Sequence, residues 1–349
     1  MTPTTGPTTV QLYLATILIA AVASGALTPL VRRLALSLGW MDAPATEIKT
    51  HKVSTPSLGG IAIFLGFALS LVVMRFITDF PTGTLFSLRA VLTGAAVVFA
   101  LGVVDDLRKP QGLGFKSKFA GQILAACLLV YFDIRIRFIT PDYLAVALTV
   151  LWVVGITNAF NIIDIMDGLC ASQAVVAALG FLLIALPSEQ VYVNFASAAL
   201  LGGALGFLPW NLSDDNKIFM GDSGSMVIGF VLAALSLGTD YSKINPLGVY
   251  APLFILLVPI YDTFFVMALR MMKGHSTFLG SKDHFALRLE AMGFTRPQVV
   301  AMAVWAAALL SLCAFLVTRV RLGWAVWIYA VVFLEIGLLS WRISRVEMR

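Results

Sequence analysis

The sequence predicts an all-α polytopic membrane protein of about eleven transmembrane helices, or ten if one short run is not a span, with a candidate active site at the cytoplasmic membrane interface. Composition is the first reason: of 349 residues, 59% are hydrophobic and 12% charged, and the mean hydropathy of +0.92 is far outside the range of soluble globular chains. Charge-free apolar runs of about 20 residues, long enough as helix to cross roughly 30 Å of hydrocarbon, recur along the whole length. The polar clusters sit at the borders of these runs, and almost all of them fall on one side.

In chain order, the first run is residues 11–31. No basic region precedes it and it is too long for a signal-peptide core, so it is expected to stay as an anchor. Residues 57–74 follow HKVSTPSLGG, and residues 85–104 end at GVVDDLRKP. Residues 117–132 form the short run that decides between ten and eleven. Residues 143–163 run into NAFNIIDIMDGL, after which 169–187 and 191–210 follow with little between them. Residues 223–237 start directly after FMGDSGS, and residues 247–269, 299–317 and 324–341 complete the set. The longest gaps, residues 32–56 and 271–298, are loop-sized, and no repeat, low-complexity tract or heptad seam is present, so residues 1–349 read as a single domain. Cys127, Cys170 and Cys313 fall in spans or at a span edge, without paired or metal-ligand spacing, and read as small apolar packing residues.

Eleven spans divide the gaps into two sets, and seventeen of the 24 Lys and Arg residues fall in the set that includes the first gap and the C-terminus. That excess places the N-terminus outside and the C-terminus in the cytoplasm. The net charge of +5 then reflects inward-facing loops near anionic lipid and implies no nucleic-acid partner. Asp105, Asp106, Asp164, Asp167, Asp222 and all 3 histidines, His51, His275 and His284, land on the same cytoplasmic side.

Asp105 and Asp106 close a span at the interface, where an unpaired carboxylate is costly. Asp164 and Asp167, at i and i+3, are expected to share a helix face and to be tolerated there because a cation or a basic side chain lies between them. Asp222, between Gly221 and Gly224 where a span begins, places small residues and backbone amides at the positive end of a helix. Lys52, Lys109 and Lys118 flank these acids. Carboxylates alone would repel a phosphorylated substrate; carboxylates holding a divalent metal and flanked by lysines suit a diphosphate. Asn158, Asn161 and the acids are hard oxygen donors, which favours magnesium, or manganese, over zinc or copper. A secondary transporter is the rival from another class; it would need acids near the bilayer midplane, and only Asp262 and Glu335 lie deep in spans.

Five ordered blocks, HKVSTPSLGG, GVVDDLRKPQGLGFKSKFAGQ, NAFNIIDIMDGL, FMGDSGS and SKDHFALRLEAMGF, together resemble the polyprenyl-phosphate N-acetylhexosamine-1-phosphate transferases (glycosyltransferase family 4), in the branch that initiates bacterial surface glycans and is related to phospho-MurNAc-pentapeptide translocase. The resemblance spans residues 32–294. It implies transfer of a sugar 1-phosphate, with N-acetylglucosamine 1-phosphate as the prior, from a UDP-sugar to undecaprenyl phosphate in the bacterial inner membrane, with release of UMP. It also implies that Asp105 and Asp106 act near the lipid phosphate and that Asp164 belongs to the catalytic cluster. Asn161 and Asp222 would contact magnesium. Lys52, Asp167, Asn211 and Phe219 would line the nucleotide pocket, with Phe219 available to uracil, and Lys109 and Lys118 would meet phosphate. Relatives carry H-x-H-H-R-L in the last cytoplasmic loop. Here HFALRL keeps His284, Arg288 and Leu289 but has Ala286 and Leu287 in place of two histidines, which bears on the donor sugar and counts against the pentapeptide translocase. With Asn158, His284 and Arg288 complete the expected substrate-binding set. A homodimer is left open.

Overall fold

The computed structural model describes residues 8–44, 53–187, 190–274, 281–346 and 348. Lys52, His51 and His275 therefore lie outside the described residues. In order the elements are α1 (Thr9–Leu38), β1 (Met41–Asp42), β2 (Thr55–Pro56), α2 (Gly60–Ile77), α3 (Thr84–Leu107), α4 (Phe115–Tyr131), α5 (Asp142–Ile163), α6 (Leu169–Ala185), α7 (Val191–Asn211) and α8 (Asp222–Ser236). A 3-10 turn (Pro246–Tyr250) leads into α9 (Ala251–Ile255), α10 (Leu257–Met272), α11 (Phe285–Ala291), α12 (Arg296–Val317) and α13 (Leu322–Ser344). Each of the apolar runs read from the sequence is helical, the ninth being broken between α9 and α10 by a bend of 73°.

By length and composition, seven of the described helices can cross a membrane, or eight if the bent pair is one span; α6 and α8 are shorter apolar helices. The chain is therefore a multi-pass, almost wholly helical membrane protein. Only β1 and β2 pair as strands among the described residues, antiparallel with Met41 opposite Pro56.

α8 is the axis of the bundle. Every residue from Ser223 to Ser236 is buried, as expected of a helix that is apolar all round, and α3, α5 and α2 pack on it. α7 is nearly as enclosed, between α1, α6 and α2. At the other extreme, α13 buries only Ala325 and Ile343. Small residues let the central backbones approach: a Cβ at Gly102 of α3 would collide with the Ser223 backbone of α8. The helix starts follow local rules; Thr295 and Gln298, for example, form a capping box at α12.

A short ladder fixes the entry to α8. The Phe219 N–H donates to the Pro56 carbonyl at 2.8 Å, the Gly59 N–H to the Phe219 carbonyl at 2.9 Å, and the Gly60 N–H to the Met220 carbonyl at 2.8 Å. The start of α2 therefore holds the segment that leads to Asp222.

Candidate active site

Asp105 and Asp106 end α3, Lys118 sits in the first turn of α4, Asn158 and Asn161 lie in the last turns of α5, and Asp222 begins α8. Packing against α8 brings these ends together. Asp106 is turned into the helix start: its Oδ1 accepts from the Asp222 N–H and its Oδ2 from the Ser223 N–H, both at 3.0 Å, and Lys109 Nζ lies 2.7 Å from Oδ1. An anion at the positive end of a helix is favourable, and two otherwise orphaned amides are satisfied. Gly221, with a φ of 75°, is required there because a Cβ would strike the Asp106 carboxylate.

Lys118 bridges the other two acids, at 2.5 Å from Asp222 Oδ2 and 3.0 Å from Asp105 Oδ2. Asp105 Oδ1 accepts from the Leu113 N–H at 2.5 Å. Lys109, 3.7 Å from Asp222 Oδ1, is the second cation. Burial works against the Lys109 charge, but the carboxylates of Asp106 and Asp222 outweigh it and hold the ammonium above its ordinary pKa.

A cavity of about 1920 Å³ opens on this cluster. Lys109, Lys118, Asn161, Asp164 and Asp222 line it, as do Asn158, Asp167, Asn211, Phe219 and His284. Asp105, Asp106 and Arg288 are buried and do not line it. Asp105 and Asp106 stand just behind the cavity wall, beside Asp222, and set the lysines and the start of α8.

One expectation changes. Asp164 and Asp167 do not share a helix face: α5 ends at Ile163, Asp164 is its C-cap, and Gly168, at a φ of 77°, turns the chain into α6. Asp167 pairs with Lys217 at 2.9 Å. Burial, and next the charge of Asp222, push the Asp164 carboxyl up to about 7; Lys109 opposes this, and the charges of Asp106 and Asp167 add less. Asn158 is engaged with α4, its Nδ2 donating to Gln122 Oε1 at 2.6 Å and to the Val154 carbonyl at 2.8 Å. Arg288, 2% exposed, turns away from the cavity and donates to the carbonyls of Ile343, Ser344 and Val346 at the end of α13.

Asn211 is buried in the wall and acts as a staple: its Oδ1 accepts from the Gly168 N–H at 2.7 Å and its Nδ2 donates to the Ile218 carbonyl at 3.0 Å. It joins the turn after α5 to the segment before α8. Lys217 and Arg32 were not singled out from the sequence. Arg32 donates to the carbonyls of Asp215 and Lys217, at 3.1 and 3.2 Å, and both residues line the cavity. The available signal was Lys217 itself, two residues before Phe219 and just ahead of the block FMGDSGS.

The donor set suits a hard divalent cation. Asp105, Asp106 and Asp222 each offer a carboxylate oxygen within 4.8 Å of the others, and Asn161 Nδ2 donates to Ser225 Oγ at 3.0 Å, which leaves its carbonyl oxygen as a ligand atom.

A helical membrane bundle whose helix ends gather carboxylates and lysines at a large cavity is the framework of an integral-membrane transferase for phosphorylated substrates. Comparison with known proteins agrees. Residues 88–240 match the family model described as glycosyl transferase family 4. The chain is 34% identical over 278 residues to the probable undecaprenyl-phosphate N-acetylglucosaminyl 1-phosphate transferase of Bacillus subtilis, covering 77% of this chain and 75% of that protein. It is 32% identical to the decaprenyl-phosphate N-acetylglucosaminephosphotransferase of Mycobacterium tuberculosis, over 81% of this chain and 77% of that protein. A phospho-N-acetylmuramoyl-pentapeptide-transferase of Listeria monocytogenes is 33% identical over 55% of this chain and 63% of its own length. The chain belongs to glycosyl transferase family 4.

Proposed function

We propose that this protein transfers a sugar 1-phosphate, N-acetylglucosamine 1-phosphate first among donors, from a UDP-sugar to undecaprenyl phosphate, releasing UMP and starting a lipid-linked surface glycan. The observation that carries the reading is the lining of the cavity. It takes in Asp222, Lys109 and Lys118 together with apolar side chains of α5 and of the 3-10 turn, α9 and α10, among them Leu148, Leu151, Val249, Leu253 and Phe264. Charged groups for a diphosphate and apolar side chains for a prenyl chain in one cavity are what a reaction between a water-soluble donor and a lipid acceptor needs. Names of the relatives from Bacillus and Mycobacterium point to the same acceptor class and the same sugar.

The second pKa of a phosphate monoester is near 6, so the lipid phosphate is largely a dianion at neutral pH and needs little base assistance. The obstacle is bringing it against a diphosphate of like charge. Lys109 and Lys118, held by Asp105, Asp106 and Asp222, supply cations at that point and neutralise charge growing on the UMP oxygen during in-line attack. Phe219, half-buried on the wall, offers a face for uracil, and Asn211 keeps that wall in register with Asp167 and Lys217. Asp222 and Asn161 would hold a magnesium or manganese ion, with Asp105 beside them, and such an ion would add further charge neutralisation on the diphosphate.

In this reading α4, α6 and α8 also cross the bilayer, the N-terminus faces outward, and the site opens to the cytoplasm of a bacterial inner membrane. All residues invoked come from one chain, so a homodimer is not required. The transporter alternative loses its main support, because Asp262 is engaged by His284 and the start of α11.

The test is a transfer assay with purified protein, undecaprenyl phosphate and a panel of radiolabelled UDP-N-acetyl sugars. Label from UDP-N-acetylglucosamine should enter the lipid fraction with stoichiometric UMP, only when magnesium or manganese is present, and Asp222→Ala should abolish it. A folded protein that releases no UMP with any donor on the panel would refute the proposal.

A further inference from the structure

Asp262 is a fully buried acid that the reaction outlined above does not use. It lies ten residues before the end of α10 at Met272, so its carboxylate sits about 15 Å back along the helix from that end. The chain returns to the same level. His284 Nδ1 lies 2.7 Å from Asp262 Oδ2, and the Phe285 N–H donates to Asp262 Oδ1 at 2.9 Å. Both oxygens are engaged by the entry to α11.

Both Asp262 oxygens face nitrogens of the α11 entry, Oδ1 the Phe285 N–H and Oδ2 the His284 Nδ1, so Nδ1 is the ring nitrogen placed to donate and Nε2 is the one left for the cavity that His284 lines. Asp262 does not line the cavity. A second clamp steadies the same segment: Asp283 Oδ1 accepts from Arg288 Nη2 at 2.6 Å and from Lys273 Nζ at 2.7 Å. Without a partner on Nδ1 the ring could rotate and exchange tautomers; with one it presents a single polarity in a single direction.

We propose that Asp262 is a positioning residue which fixes the Nδ1–H tautomer of His284 and thereby presents Nε2 to the sugar 1-phosphate end of the bound donor. Only the identity of that ligand rests on the transferase reading. It follows from the lining of the cavity: Phe219 is available to the uracil of a UDP-sugar, the lysines to its diphosphate, and the segment around α11 adds the polar groups of Ser281, His284, Glu290 and Arg296.

Asp262→Asn isolates the effect. The side chain keeps its size and its carbonyl can still accept from Phe285, but its amide then meets Nδ1 donor against donor, so His284 must move its hydrogen to Nε2. Nitrogen NMR on histidine-labelled protein can follow this because the chain has only 3 histidines, and a His284→Gln sample assigns the signal. The wild type should show Nδ1–H and Asp262→Asn should show Nε2–H, with kcat/KM for the UDP-sugar falling roughly 10- to 100-fold. In a His284→Gln background the same change should alter kcat/KM by less than about twofold. A tautomer that does not change, or an equal loss in both backgrounds, would overturn the proposal and leave Asp262 a structural cap. If the wild type turned over no donor at all, the transferase reading would fail, and the tautomer alone would still decide the role of Asp262.

Discussion

At the start of α8 the carboxylate of Asp106 accepts from the N–H groups of Asp222 and Ser223; at the start of α11 the carboxylate of Asp262 accepts from the N–H of Phe285. Both acids come from a neighbouring helix, α3 in one case and α10 in the other. The cations beside them differ. Next to α8 stand Lys109 and Lys118, each with 22% of its side chain exposed to the cavity. Beside α11 stands Arg288, with 2% exposed, committed to Asp283 and to three carbonyls of the α13 end. An ammonium on a flexible stem can exchange a protein carboxylate for a ligand phosphate, whereas a planar guanidinium locked by a fork of hydrogen bonds cannot. The ammonium charge at α8 is therefore partly exposed and exchangeable, whereas the guanidinium of Arg288 at α11 is consumed by the fold.

The sharpest way to break that contrast is Lys118→Ala. It should lower kcat/KM for the UDP-sugar by roughly 10²- to 10³-fold while shifting Tm by only a few degrees, as read by UMP release and by thermal unfolding in detergent. If unfolding were the main effect, the lysines would be structural and the two regions alike. Arg288→Lys should behave in the opposite way. One ammonium cannot reach Asp283 and the α13 carbonyls together, so stability should fall by about 3 kcal/mol while kcat of the folded fraction stays within about tenfold. A Tm equal to that of the wild type would remove Arg288 from its assigned place.

A third effect, in the pH dependence of stability, belongs to Asp164. Its carboxyl, raised to about 7, keeps in the folded state a proton that the unfolded chain releases near pH 4, so stability declines as pH rises from about 4 to 7 and the penalty is complete above that. In the absence of divalent cations, Asp164→Asn should stabilise the protein at pH 8 by up to about 4 kcal/mol and leave it nearly unchanged at pH 4. Unfolding curves for the pair that differ equally at both pH values would contradict the assigned environment.

Much of this site could be read in one dimension, and the errors have physical causes. Asp222, Asn161, Lys109 and Lys118 were found because a polar residue at the border of an apolar run stands out, and all four line the cavity. Asp106 stood out equally, yet its partners lie 116 and 117 residues away, and no local pattern records that its oxygens are occupied. Asp164 and Asp167 were placed on one helix face because their spacing allows it; Gly168, a helix-ending signal in the same stretch, was the better guide. His284 and Arg288 are four apart and look like neighbours on one face, but His284 is the N-cap of α11, outside the helix, so the two side chains diverge.

The sequence by itself determined that this chain is a bundle of membrane helices and that its chemistry lies where those helices end, because hydrocarbon excludes ionised groups from span interiors and composition alone registers that exclusion. It also held the blocks that identify the family. Tertiary structure decided which carboxylates line the cavity, which lysines are partly exposed, and which acid meets Nδ1 of His284. Each of these depends on contacts between helices far apart in the chain, and a hydrogen bond from a distant backbone amide leaves no trace in local residue order.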